Sequence, residues 1–353
     1  MKPASELKRI VVRGTNWVGD AIMTIPALRE LRRIVPDAHI TLVTRSWTQG
    51  IFADADFLDD ILVYDRERRF LVSTRQQIAE WKRRKFDAAI LLQNAFEAAI
   101  IARLAKVPVR VGYPTDGRGF LLTEKVPLPT EAKHEVYYYL NIVAEFERIL
   151  RGSSSVDDHP PRMELPVSAE RLGEAASVMS SQGVAEGQRI VALCPGSTNS
   201  RAKRWPVGRF AALGDRLIAE MGAAVVLVGA ADELPISQEV AAIMRHKPVV
   251  LTGATNLAQA VAVLGNIDLL VTNDTGPAHI AAALGRPVLV IFGPTDPTTT
   301  RPFGDLAVVI RHPPDCAPCM LRDCPIDHRC MTAISPDEIF DQAMKVLSKR
   351  DEK

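Results

Sequence analysis

An α/β fold built from two doubly wound domains is what this sequence predicts, and three observations carry the prediction. Short apolar runs rich in Val, Ile and Leu alternate with stretches of helical period along most of the chain. That alternation implies a mostly parallel sheet with helices on both faces. At 353 residues the chain is long for one domain of ordinary size. A polar segment rich in Ser, Asp and Pro, RGSSSVDDHPP at 151–161, separates two such alternating halves. The expected organisation is a Rossmann-like domain over 1–150, a linker at 151–161, a second Rossmann-like domain over 162–335 and a closing helix over 336–353. Two doubly wound domains facing across a cleft would gather the loops at their strand carboxyl ends around one ligand.

The first strand is KRIVVR, followed by the loop Gly14-Thr15-Asn16-Trp17-Val18-Gly19-Asp20 and a helix through AIMTIPALRELRRIV. HITLVT, ILVYD, DAAILLQ and VRVGYP read as the next strands, with helical stretches such as RQQIAEWKRRK and EAAIIARLAK between them. HEVYYYLNIVAEFERIL, 134–150, is a long helix closing the first half. The second half repeats the plan without repeating residues. Its strands are RIVALCPG, AVVLVGA, VVLTG, IDLLVT and PVLVIFG, and its helices include GRFAALGDRLIAEMG and NLAQAVAVLGN. The last helix, PDEIFDQAMKVLSK, has Ser335 as its cap and Pro336 just inside.

Composition narrows the function classes. With 47% hydrophobic and 24% charged residues the chain suits two soluble cores. Lys plus Arg (43) nearly cancels Asp plus Glu (42), so no nucleic-acid partner is expected. The polar start MKPASELKR lacks a secretory pattern, and no apolar run approaches the ~18 residues of a spanning helix. A cytoplasmic location is expected.

The stretch from Ile267 to Gly304 is the most informative. Strand, turn, helix and strand follow closely, and the turn Asn273-Asp274-Thr275-Gly276 offers backbone N–H groups at a positive helix end, suited to phosphate. Asp274 and Thr275 could equally serve as helix caps. Two further loops sit at strand ends. Cys194-Pro195-Gly196-Ser197-Thr198 leads to Arg201, Lys203 and Arg204, where Lys203 could neutralise a diphosphate or the basic residues could form a solvated loop. In Gly229-Ala230-Ala231-Asp232-Glu233 an acid could accept from ribose hydroxyls, or Asp232 could cap the next helix. In the first half, Asp20 stands where a Walker loop needs Lys, and the loop lacks the G-x-G-x-x-G spacing of a dinucleotide fingerprint. Asp20 could act as general base toward a hydroxyl, or simply favour a helix start.

RGTNWVGDAIMTIPALREL, PGSTNSRAKRWPVGRF and TNDTGPAHIAAALGRPVLVIFGPTDP resemble the bacterial lipopolysaccharide heptosyltransferases of glycosyltransferase family 9, over nearly the whole chain. The tail CAPCMLRDCPIDHRCM is similar to the members that add the second core heptose. The resemblance implies the two-domain GT-B fold and inverting transfer of L-glycero-D-manno-heptose from ADP-heptose, with no essential metal. The acceptor implied is the first heptose of the inner core, carried on lipid A at the inner face of the cytoplasmic membrane. By position it puts the catalytic Asp on Asp20, with Thr15, Asn16, Trp17 and Gly19 forming an acceptor-side loop. It puts the phosphate-binding Lys on Lys203, beside Gly196 and Ser197, and the diphosphate turn on Asp274, Thr275 and Gly276. His279 and a ribose acid, Asp232 or Glu233, complete the implied donor site. The basic runs 66–69 and 82–85 could support peripheral membrane contact or be solvated helix faces.

Cys316-x2-Cys319-x4-Cys324-x5-Cys330, with His312 and His328 nearby, could hold a structural Zn or remain free thiols. The missing fingerprint disfavours an NAD-dependent oxidoreductase. Another GT-B transferase or epimerase acting on a nucleotide-diphosphate sugar, and a non-catalytic nucleotide- or metal-binding module, are the other readings.

Overall fold

A computed structural model describes residues 7–65, 70–198 and 200–351. The chain divides into two compact units, Met1–Glu164 and Leu165–Lys353. The first holds a sheet of β1 (Arg9–Arg13), β2 (His39–Thr44), β3 (Asp60–Val63), β4 (Ala88–Leu91), β5 (Val109–Gly112) and β6 (Glu124–Lys125). The second holds β7 (Ile190–Cys194), β8 (Ala224–Leu227), β9 (Val249–Val250), β10 (Leu269–Asn273), β11 (Val288–Ile291) and β12 (Ala307–Ile310). Every pairing is parallel, which explains why the central strands are apolar without alternation: residues of β4, β10 and β11 are buried on both faces.

The strand orders are β3-β2-β1-β4-β5-β6 and β12-β11-β10-β7-β8-β9. Counted within its own unit, the second order is the first read backwards, so both halves follow one topology. In each, connections leave in opposite directions from the central pair, β1 and β4 or β7 and β10. A ligand crevice is expected outside the carboxyl ends of that pair.

The single helix expected over 21–35 is two, Val18–Met23 and Ile25–Ile34, broken at Thr24. Pro26 is the cause: it has no N–H to give the preceding turn, and its ring excludes continuous helical backbone. Thr24 Oγ1 donates to the Ala21 carbonyl at 2.6 Å across the break. The edge strands β6 and β12 lie beyond the expected set, as do the helices Ala169–Ser181 and Leu234–Ile243. The Ser-rich stretch after the helix Glu135–Arg151 is tied back to it, because the buried Glu147 accepts from the Ser155 amide at 2.8 Å and from Ser154 Oγ at 3.1 Å. No described helix is long and apolar enough to cross a membrane.

Candidate active site

In the second unit, the loops after β7, β8 and β10 are bound together by side chains that the strands deliver. Asn273, fully buried at the end of β10, donates from Nδ2 to the Pro195 and Gly196 carbonyls at 3.0 and 3.1 Å. Its Oδ1 accepts the Trp205 amide at 2.9 Å. One amide side chain thus sets the Gly196-Ser197 loop against the segment carrying Lys203. Trp205 is fully buried and donates its Nε1–H to the Ile334 carbonyl at 3.0 Å, fixing the chain just after Lys203.

Lys203 ends the short turn Arg201–Lys203, and its Nζ lies 2.7 Å from Asp274 Oδ2. The lysine side chain is 26% exposed and the carboxylate 7%, so the ammonium reaches outward while its partner is held in the protein. Thr295 Oγ1, from the loop after β11, donates to the same carboxylate oxygen at 2.8 Å. The acid therefore orients the lysine and caps nothing. Thr275 makes no side-chain cap bond either, and its hydroxyl turns back to the Asn273 carbonyl at 3.3 Å. The helix Gly276–Ala283 starts with Pro277 in its first turn and without a side-chain cap. That favours a ligand-facing helix start over the capping alternative. His279 lies buried in this helix.

Gly196 meets the β8 loop directly: a Cβ there would fall 2.3 Å from the Glu233 carboxyl. Glu233 is buried and accepts the Ala230 amide at 2.9 Å and the Thr198 hydroxyl at 3.4 Å. Burial raises its pKa, opposed by the Ala230 amide. Asp232 is exposed on the same turn, and the bond to the Ala230 amide comes from Glu233. Ser197 is buried, and its carbonyl accepts from Arg204 Nη2 at 2.9 Å, which takes that guanidinium out of the solvated-loop reading. Burial pushes the Cys194 thiol beneath the loop up to about 12.

In the first unit, Asp20 is the third residue of the helix Val18–Met23, after β1. Burial raises its pKa. Trp17 is 60% exposed, whereas Thr15 is buried. Asn16 accepts from Arg45 Nε at 3.1 Å and, through its carbonyl, from Trp47 Nε1 at 2.8 Å. Gly19 lies half-buried just before Asp20. Glu135 opens the helix Glu135–Arg151, and its pKa is raised by burial and by the Asp20 charge. A second acid beside Asp20, from the far end of the unit's sequence, has no local signature.

The basic run 66–69 lies outside the described residues. In the run 82–85, Arg83 and Arg84 each reach Glu80 at 2.6 Å, and Arg84 also pairs with Asp60. These pairings match a solvated helix face. In the tail, Cys316 is exposed, Cys319 and Cys324 are half-buried and Cys330 is buried, all as free thiols. Among the described residues no three His, Cys, Asp or Glu side chains converge on a metal position. Both nearby imidazoles are engaged elsewhere: His312 Nε2 lies 2.9 Å from Glu338, and His328 Nε2 lies 2.6 Å from the Ala202 carbonyl. Burial and the charges of Cys324, Cys319 and Cys316 raise the Cys330 pKa, so the four tail sulfurs lie near one another.

Comparison with known proteins gives the family. The family model described as glycosyltransferase family 9 (heptosyltransferase) matches residues 75–329. Lipooligosaccharide heptosyltransferase 2 of Haemophilus influenzae is 31% identical over 86% of this chain and 88% of its own. The solved structure of Escherichia coli ADP-heptose lps heptosyltransferase II superposes with a TM-score of 0.83 at 26% identity, covering 97% of this chain and 99% of that one. A family 9 glycosyltransferase from Veillonella parvula superposes with a TM-score of 0.84 at 25% identity, covering 98% and 99%. The two parallel six-stranded sheets match these GT-B structures. The chain belongs to glycosyltransferase family 9, the heptosyltransferases, and is a glycosyltransferase.

Proposed function

We propose that this enzyme transfers L-glycero-D-manno-heptose from ADP-heptose, with inversion, to the first heptose of the lipopolysaccharide inner core on lipid A. The observation that carries the reading is the Lys203 ammonium held 2.7 Å from Asp274, at the loops bordering the β7–β10 pair. A single cation fixed by a buried acid, next to an uncapped helix start, suits a diphosphate leaving group. The relatives' names supply the ADP-heptose donor and a lipopolysaccharide or lipooligosaccharide acceptor.

The roles follow from the chemistry of each group. Asp20 takes the proton of the acceptor hydroxyl, for which a carboxylate of raised pKa is the stronger base. The hydroxyl attacks the anomeric carbon on the face opposite the diphosphate, and ADP leaves as the bond to its bridging oxygen breaks. Lys203 and the amides at Thr275 and Gly276 stabilise the negative charge gained by ADP, so catalysis needs no metal ion. Gly196 and Ser197 let the backbone approach the nucleotide, and Asp232 or Glu233 accepts from the ribose. His279, buried in the helix Gly276–Ala283, belongs to the donor side. The Thr15-Asn16-Trp17-Gly19 loop receives the acceptor. The enzyme works at the cytoplasmic face of the inner membrane through peripheral contact with its lipid-linked acceptor.

The test is direct. Purified protein is incubated with ADP-heptose and heptosyl-Kdo2-lipid A, and the product is analysed for an added heptose and its anomeric configuration. Heptose transfer with inversion and stoichiometric ADP release is expected. ADP release without transfer, or a retained configuration, would overturn the proposal.

A further inference from the structure

The turn that carries Lys203 is short, and a lysine on such a turn has many positions open to it. On its downstream side Trp205 is anchored, as described above. The upstream side is held by the cysteine-rich tail. The Ala202 amide donates to the Arg322 carbonyl at 2.9 Å, and the Ala202 carbonyl lies 2.6 Å from His328 Nε2. A carbonyl only accepts, so Nε2 must carry the proton. Ser200 Oγ donates to the Arg322 carbonyl at 3.2 Å, and Arg201 pairs with Asp323 at 2.6 Å. Both backbone polar groups of the residue before Lys203 are therefore taken by one tail segment, and Ala202 itself is buried.

His328 reaches Ala202 from an unusual backbone position. Its φ is +56°, in the left-handed region that a side chain other than Gly adopts uncommonly. From there its own carbonyl accepts the Met331 and Thr332 amides, starting the short helix Arg329–Thr332. The ring is thereby aimed by a rigid turn at the backbone of the lysine loop.

We infer that the segment from Arg322 to His328 is a clamp on the lysine loop, and that His328 is a positioning residue that fixes the Lys203 ammonium through the Ala202 carbonyl. The cysteine-rich tail then acts on donor binding without touching the donor. This inference rests on the reading of Lys203 as the diphosphate-binding cation. The clamp fixes the backbone from which the Lys203 side chain reaches the Asp274 carboxylate.

ADP affinity measured by calorimetry tests it in parent, His328→Ala, Lys203→Ala and the double variant. His328→Ala should weaken ADP binding by roughly tenfold, the equivalent of one directed hydrogen bond. In the Lys203→Ala background the same change should cost less than about twofold, because a clamp acting through the lysine has nothing left to position. His328→Gln, whose amide can donate to the same carbonyl, should keep most of the affinity. Parent-like binding by His328→Ala, or an equal loss in both backgrounds, would overturn the inference. Parent-like binding by Lys203→Ala would instead overturn the phosphate-site reading and leave the cause unambiguous. If His328→Ala does not fold, Ser200→Ala loosens the same clamp and must display the same dependence on Lys203.

Discussion

Gly196→Ala should damage this protein by a route whose size can be worked from distances. Nothing in the Gly196 backbone forbids alanine, since its φ is not in the left-handed region. The obstacle is contact: the new Cβ would lie 2.3 Å from both Cδ and Oε1 of Glu233, where ordinary contact begins at 3.4 Å. The carboxyl must retreat by about 1 Å, and as the methyl strikes its end, the bond to the Ala230 amide at 2.9 Å cannot survive. Overpacking costs about 1–3 kcal/mol, and the amide of the exposed Ala230 turns to water at little further cost, so about 1–3 kcal/mol is expected. For a unit the size of Leu165–Lys353 this lowers the midpoint of its thermal transition by about 2–12 °C. Calorimetric melting of parent, Gly196→Ala, Glu233→Ala and the double variant checks the reasoning. Removing the Glu233 side chain takes away what the methyl strikes, so the double variant should be little worse than Glu233→Ala alone. A Gly196→Ala protein melting within a degree of the parent would refute the argument, and so would simple additivity of the two changes.

Three further outcomes are expected. Asp20→Asn should lower turnover by roughly 100-fold or more while sparing ADP affinity. It should also raise the melting temperature at neutral pH. Burial raises the folded-state pKa of Asp20, so its ionisation costs stability as pH rises through the window between unfolded and folded values, and asparagine never ionises. The acid limb of the parent's kcat/KM profile should accordingly lie above that of an ordinary aspartate. Unchanged turnover in Asp20→Asn would remove it from the mechanism. Lys203→Ala should lower kcat/KM more than it weakens the donor ground state, because the charge it meets grows as ADP departs; equal effects would make it a uniform binder. Thiol titration of the native protein should find Cys316, Cys319 and Cys324 reacting quickly, and Cys194 only on unfolding. Slow reaction of the three tail thiols would reopen a metal or disulfide reading.

How far the sequence alone could reach follows from which interactions are local. The central strands were legible because burial on both faces demands unbroken apolar runs, and β4, β10 and β11 are such runs. Of the edge strands β3 and β9 were legible and β6 and β12 were not, since a partly exposed run such as Ala307–Ile310 carries neither length nor alternation. Pro26 could have revealed the break in the first helix, but the apolar period on both sides of it was strong enough to mask it. Lys203 and Asp274 were each visible at a strand-end loop, yet their pairing crosses 71 positions of sequence. The pairing also changes the sense of the acid: in the sequence Asp274 looks like a helix cap or part of a diphosphate turn, and in the fold it aims the cation.

The same logic explains which roles had no signal in the sequence. Asn273, Thr295, Glu135 and His328 are single polar residues in ordinary contexts, and each acquires its role only from a partner far along the chain. Asn273 is the most instructive. It is fully buried, and its three bonds join the loop after β7 to the segment before Trp205. A buried amide with this many partners costs little while all are made and much when any is lost. Neighbouring Thr272 and Thr275 spend their hydroxyls on the same turn, so the end of β10 is rigid before any ligand arrives. The parallel topology sets β7 and β10 side by side. Asn273 turns that adjacency into one fixed surface, and Lys203 is the charge mounted on it.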